Sequence, residues 1–108
     1  MNNLFRLADF NADFDGLYRW YLDHGGETVA ENFQSAVVIT LRTLAAQPEL
    51  GRARRFRRLA LRNLRSFPVT RPYNRMLIFY RPTENGITAW RLMDGSRDLP
   101  RRLAEPPN

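Results

Sequence analysis

Apolar positions recur along the chain with two different periods, and the switch between them divides it into helical and extended halves. Residues 4–7 form a short apolar stretch that reads as a strand. Phe14, Leu17, Tyr18, Tyr21 and Leu22 then return at three- and four-residue spacing, one face of a helix. Asp9 or Asn11 can cap its first free amides, and Gly25-Gly26 can end it, because glycine accepts the left-handed cap conformation. Thr28 and Glu31 fit a capping box for a second helix. Its stripe is Phe33, Val37, Leu41 and Leu44, flanked by Ala30 and Ala45. Pro48 stops that helix at Gln47, since the residue before proline avoids helical geometry. Two helices joined this closely should run antiparallel and bury both stripes on a shared surface.

The second half is extended. Residues 51–58 are too basic for a core element and read as an exposed loop, with Phe56 folding back toward the core. Strands are expected over residues 61–69, 75–81 and 87–93. The continuous apolar run from Met76 to Tyr80 suits a central strand covered on both faces. Asn85-Gly86 between apolar runs predicts a hairpin whose turn uses positive φ. A short helix can start at Ser96, limited by Pro100 and the proline-rich end. Short loops make the last three strands antiparallel. The expected fold is an α+β two-layer domain, one domain over residues 1–108, in the order strand, helix, helix, three antiparallel strands, short C-terminal helix or tail. Phe33, Val37 and Leu41 are expected to pack on Leu77 and Phe79.

Composition narrows the function classes. Hydrophobic residues make up 44%, enough for a core and too many for a disordered chain. No run approaches the ~18 apolar residues of a membrane span. The first ten residues carry Arg6 and Asp9, unlike the apolar centre of a signal peptide, so a cytoplasmic protein is expected. With no cysteine there is no disulfide, thiolate metal site or thiol nucleophile. The net charge is +6 and every basic side chain other than His24 is arginine. Such a surface favours an acidic protein or nucleic acid.

Catalytic groups are sparse. His24 sits at a helix end, where the dipole favours a cation. Asp9, Asp13 and Asp15 crowd a helix start, where negative charge is stabilising without any further role. One histidine and no cysteine argue against a metal site. No phosphate-cradling glycine motif occurs, and no cofactor is expected. The arginine run Arg52, Arg54, Arg55, Arg57 and Arg58 reads as a solvated basic surface.

The C-terminal half carries a more specific signal: Leu64-Arg65-Ser66-Phe67-Pro68-Val69, then the stretch from Arg75 to Arg81, then that from Arg91 to Leu99. This series resembles the RelE/ParE superfamily of toxins from bacterial type II toxin–antitoxin systems, and its ParE-like branch, the plasmid stabilisation proteins, most closely. The element order agrees with that family over nearly the whole chain. Two departures stand out. Asp94 replaces the histidine usual in His-Gly-Ala-Arg-Asp, and the loop of residues 70–74 is about two residues longer than usual, a change loops tolerate cheaply.

The resemblance implies a toxin neutralised by a cognate antitoxin, with DNA gyrase as the target and no catalytic residue. Candidate antitoxin- or target-binding residues are Arg65, Arg75, Arg81, Arg91 and Arg97. Two alternatives stand beside it, the first implied by the resemblance and the second permitted by the basic charge. In a ribosome-dependent mRNA endonuclease of the RelE type, Arg75 and Arg97 would hold the scissile phosphate. The position six residues beyond Arg97, where that branch often has a proton-transferring tyrosine, is Leu103. A non-toxic nucleic-acid-binding module is the other alternative, although Phe67, Phe79, Tyr80 and Trp90 sit in apolar runs and read as core rather than as a base-stacking platform. Arg75 and Arg97 could equally pair with neighbouring carboxylates, since Asp94 and Asp98 flank Arg97.

Overall fold

The computed structural model describes residues 2–95 and 99–107. Strand β1 (Asn3–Arg6) leads into a long helix, α1 (Ala8–Ala46). Then come a two-residue strand β2 (Arg52–Ala53), a 3-10 turn (Leu59–Leu61), and strands β3 (Arg65–Pro68), β4 (Met76–Thr83) and β5 (Gly86–Asp94). A short helix, α2 (Leu99–Ala104), follows. The strands form one sheet in the order β1-β5-β4-β3-β2, with β1 parallel to β5 and the other neighbours antiparallel. This is the expected α+β architecture.

A straight helix of 39 residues would run about 58 Å, yet the longest dimension of the molecule is 37 Å. The chain reverses at Gly26, whose φ of 86° and ψ of 177° are open in practice only to glycine. Across that break the Phe14 and Phe33 rings stack at 5.7 Å and those of Tyr21 and Phe33 lie 4.6 Å apart. The two arms are therefore antiparallel, as the paired glycines predict. The expected cap at Asp9 or Asn11 does not form. The helix starts from Leu7, which offers no side-chain cap, because the Leu7 amide is held by the Ala89 carbonyl of β5 (3.1 Å) and β1 passes into the helix without a linker.

The sheet is covered on both faces. On one lie Phe10, Phe33, Val37, Leu41 and Leu44 of α1, packed with Ile78, Tyr80, Ile87, Ala89 and Leu92. On the other, Leu61, Leu64, Phe79, Met93 and Leu103 form a second cluster, with Phe56, Leu77 and Trp90 packed against it. The expected partners of the α1 stripe were thus one residue out of register: Ile78 and Tyr80 face the helix, while Leu77 and Phe79 face away. Side chains alternate along a strand, so a one-residue slip exchanges the faces. Leu22 also departs from expectation, being exposed on α1, whereas Phe10 is fully buried.

Three other elements differ from the sequence reading. The strand expected over residues 61–69 shrinks to β3, because Asn63 takes a positive φ of 64° and sends Leu61 and Leu64 into one cluster. The basic loop contains β2, which pairs with β3 through Arg52 and Ser66. The β4–β5 hairpin forms, but among the described residues only Asn63 and Gly26 carry positive φ, so its turn is not the expected kind. Gly86 serves a different need: a β-carbon there would collide with the Asn3 backbone of β1. The helix start expected at Ser96 lies outside the described residues.

Phe33 is fully buried where both arms of α1 and the sheet meet. Replacing it with alanine should destabilise the protein by about 3–5 kcal/mol. Urea unfolding checks this, and an unchanged midpoint would show that the α1 face is assigned wrongly.

Candidate functional site

A bulge between β4 and β5 governs where Arg91 goes. Register runs from Phe79↔Arg91 to Tyr80↔Ala89, skipping Trp90. Bulges re-aim side chains, and here Arg91 reaches α1 and the C-terminal segment. Its Nε and Nη2 donate to the two Asp13 carboxylate oxygens at 2.7 and 3.1 Å. Its Nη1 donates to the carbonyls of Glu105 (2.7 Å) and Leu103 (3.3 Å). Asp13 also accepts from the Leu92 amide at 3.0 Å. That amide lies on β5 beyond the end of β1, whose pairing stops at Arg6↔Ala89, so the carboxylate takes over where the strand ceases. A cleft of about 260 Å³ beside the pair is lined by Gly16, Met93, Arg102 and Pro106 among others.

Two further candidates also turn inward. Arg65 donates to the carbonyls of Gly51 (2.7 Å) and Glu49 (3.1 Å), fixing the turn after α1. Arg81 donates to the carbonyls of Ala60 (2.7 Å) and Arg62 (3.1 Å) while its guanidinium lies 5.2 Å over the Trp90 ring. Partial burial lowers the Arg81 pKa, though a guanidinium stays charged near neutral pH. Arg65, Arg81 and Arg91 are thus scaffold contacts first.

Arg75 is different. It precedes β4 and projects into solvent, with side-chain exposure of 79%, bonded to Asp94 at 3.2 Å. Tyr21 and Tyr73 stand nearby, their rings edge-to-face at 5.2 Å. Burial first, and then Tyr73, raises the Tyr21 pKa above its ordinary 10.0; Arg75 opposes this and Asp94 adds to it. Tyr21 is therefore a protonated donor near neutral pH and a poor proton acceptor. Arg75 can hold a phosphate or carboxylate on an open surface. Arg97, the remaining candidate, lies outside the described residues. Sequence reasoning missed Tyr21 here, having treated it as one of an apolar stripe, and only its packing against the sheet end could have shown it.

The remaining expectations have simple places. Leu103 is a buried anchor that holds α2 on the second cluster. His24 donates from Nδ1 to the Trp20 carbonyl (2.8 Å) and stacks on that indole at 4.2 Å. A shallow groove between the helical arms is lined by Phe14, Asp15, Tyr18, Arg19, Leu22 and Gln34, and Trp20 is half-exposed elsewhere on the same arm. Among the described residues, no helix is long and apolar enough to cross a membrane.

These two ion pairs should differ in how much their truncation costs. Asp13→Asn leaves a buried guanidinium without its counter-charge and should cost about 3–5 kcal/mol. Arg75→Ala removes a solvent-screened pair and should cost at most about 1 kcal/mol. Chemical denaturation of both variants checks this ordering; equal losses would contradict it. A second expectation concerns alkali. Tyr21 and Tyr80 both have folded-state pKa values raised by burial. The folded chain then keeps protons that the unfolded chain releases near 10.0, so stability is full below that pH and falls as pH rises through the folded values. Tyr21→Phe should flatten part of this fall, read as the urea midpoint across the alkaline range.

Comparison with known proteins matches this architecture to one family. The profile of the ParE toxin of the type II toxin–antitoxin system, parDE, matches residues 6–99. A solved structure described as the chromosomal ParDE TA system from P. aeruginosa aligns with a TM-score of 0.68 at 19% identity, covering 87% of this chain and 96% of that one. No curated protein matches the sequence. The family profile runs from the last residue of β1 to the start of α2, including the arginine-bearing hairpin, and the chain belongs to the ParE toxin family of type II toxin–antitoxin systems.

Proposed function

We propose that this chain is the toxin of a type II toxin–antitoxin pair, held inactive in the cytoplasm by a cognate antitoxin and acting on DNA gyrase when released. The family match over residues 6–99 carries the reading. Toxicity here is binding rather than catalysis. Arg75 supplies an exposed cation at the sheet end, and the tyrosine beside it, its pKa raised by burial, stays protonated near neutral pH and neither takes up nor readily gives up a proton. Arg75 and Arg97 are the proposed target contacts. Arg65, Arg81 and Arg91 support the surface from within. The antitoxin is proposed to lay an amphipathic segment along the groove at Phe14, Tyr18 and Leu22, where apolar side chains are left partly open between the arms of α1. On a plasmid, loss of the pair would then free the toxin and so favour cells that keep the plasmid.

The second reading is a ribosome-dependent mRNA endonuclease, favoured by the exposed Arg75 guanidinium, which can hold a scissile phosphate. Two measurements separate the readings. On induction without its antitoxin, the protein should arrest growth, and the purified chain should inhibit gyrase supercoiling, with Arg75→Ala weakening inhibition while stability falls by at most about 1 kcal/mol. Early arrest of translation, mRNA cleavage on ribosomes and untouched supercoiling would favour the nuclease instead.

A further inference from the structure

The positive charge of this protein is not spread over it. Residues 52–65 hold seven arginines and no acid; the other 94 residues hold ten arginines against eleven acids, a net charge of −1. Helix α1 has the opposite character, with six acids and two arginines. The molecule is therefore polarised, with an acidic helical layer on one sheet face and a basic lobe covering the other.

Inside the lobe the arginines divide into two groups. Arg54 and Arg65 bind inward, Arg54 through Nε to the Ser66 hydroxyl at 2.7 Å and Arg65 to the carbonyls of Glu49 and Gly51. Burial, and then Arg52, lowers the Arg54 pKa. From below, Arg81 holds the carbonyls of Ala60 and Arg62. Phe56, Leu61 and Leu64 pin the lobe to the second apolar cluster. Arg52, Arg55, Arg57, Arg58 and Arg62 are left exposed, and their side chains form no ion pair with a described residue. A backbone fixed at this many points keeps the five exposed arginines together on one lobe, so binding need order their side chains but not the chain that carries them.

We propose that this lobe is a docking surface for the phosphate backbone of duplex nucleic acid, independent of base sequence. The chemistry selects this occupant. Protein-binding surfaces combine arginine with aromatic residues and methionine around a core depleted in other charges. Every exposed charged side chain here is an arginine, no aromatic ring is exposed, Leu59 is the one large apolar group among them and Phe56 is half-buried. Surfaces that bind nucleic acid are far more positive, and a guanidinium matches phosphate with two parallel hydrogen bonds. Single strands need an exposed aromatic platform, whereas Phe79 is fully buried and Trp90 lies beneath Arg81. The acidic face of α1 would point away from the duplex, giving the protein one orientation on it. This inference stands apart from the choice of toxin target.

Fluorescence anisotropy of the purified full-length chain with a labelled DNA duplex of about 20 base pairs tests it. Log Kd should rise with log salt by roughly 0.9 per phosphate contacted. Arg55→Ala/Arg58→Ala should weaken binding at least about tenfold near 0.1 M salt and lower that slope by roughly 2. Arg57→Ala/Arg62→Ala should do the same. Arg19→Ala/Arg42→Ala removes equal charge from α1 and should leave Kd within about twofold. All these side chains are exposed, and unchanged thermal melts would confirm folding. Four results would overturn the proposal. They are no binding near 50 mM salt, equal loss from the α1 pair, tighter binding of single strands than of duplex, and self-association in sedimentation that the lobe variants abolish. The last would seat the lobe on the acidic helix of a second copy.

Discussion

The buried pair of Asp13 and Arg91 is the constraint on which the arrangement of the sheet end depends. One carboxylate meets an arginine fork and a strand amide, and the same arginine gathers two carbonyls from the C-terminal segment. A charge pair taken this far from water is favourable only when its hydrogen-bonding groups are satisfied. Here every buried side-chain nitrogen and oxygen among the described residues has a partner. The pair joins the first turns of α1, the open edge of β5 and the end of α2. The β5 bulge makes this possible, since it keeps Ala89 and Leu92 on the helix-facing side while Arg91 turns toward α1.

Arginine consequently performs two kinds of work in one small protein. Arg54, Arg65, Arg81 and Arg91 make multidentate or stacked contacts with carbonyls, hydroxyls, carboxylates and rings inside the fold. Lysine, with a compact ammonium, could not replace them in those forked geometries. Arg75 and the outer arginines of the lobe face water. Family membership and surface chemistry thus concern different residues of the same type, and sequence position alone does not separate them.

What was legible in the sequence was local. The α1 stripe from Phe33 to Leu44, the break at Gly25-Gly26, the stop before Pro48 and the β4–β5 hairpin all follow from short-range periodicity and backbone chemistry. The face of β4 was not legible, because Met76 to Tyr80 is apolar throughout and a strand buried on both sides has no polar alternation to set its register. The reason for Gly86 was hidden too, since its neighbour is the β1 backbone rather than its own turn. At the candidate site, Arg75 could be placed at the head of its strand. The roles of Arg65, Arg81 and Arg91 could not be read, because their partners are set by tertiary packing. Asp13 lies 78 residues from Arg91, and its position near a helix start offered a sufficient local explanation of its charge.

The most direct test of the claim that Arg91 is a clamp rather than a contact residue is native-state hydrogen exchange on Arg91→Met, which keeps much of the side-chain length and removes its donors. The account predicts faster exchange at Leu92 and across residues 102–105, with the amides of β4 still protected. Unchanged protection in the C-terminal segment would contradict it, and would return Arg91 to the arginines available for a partner.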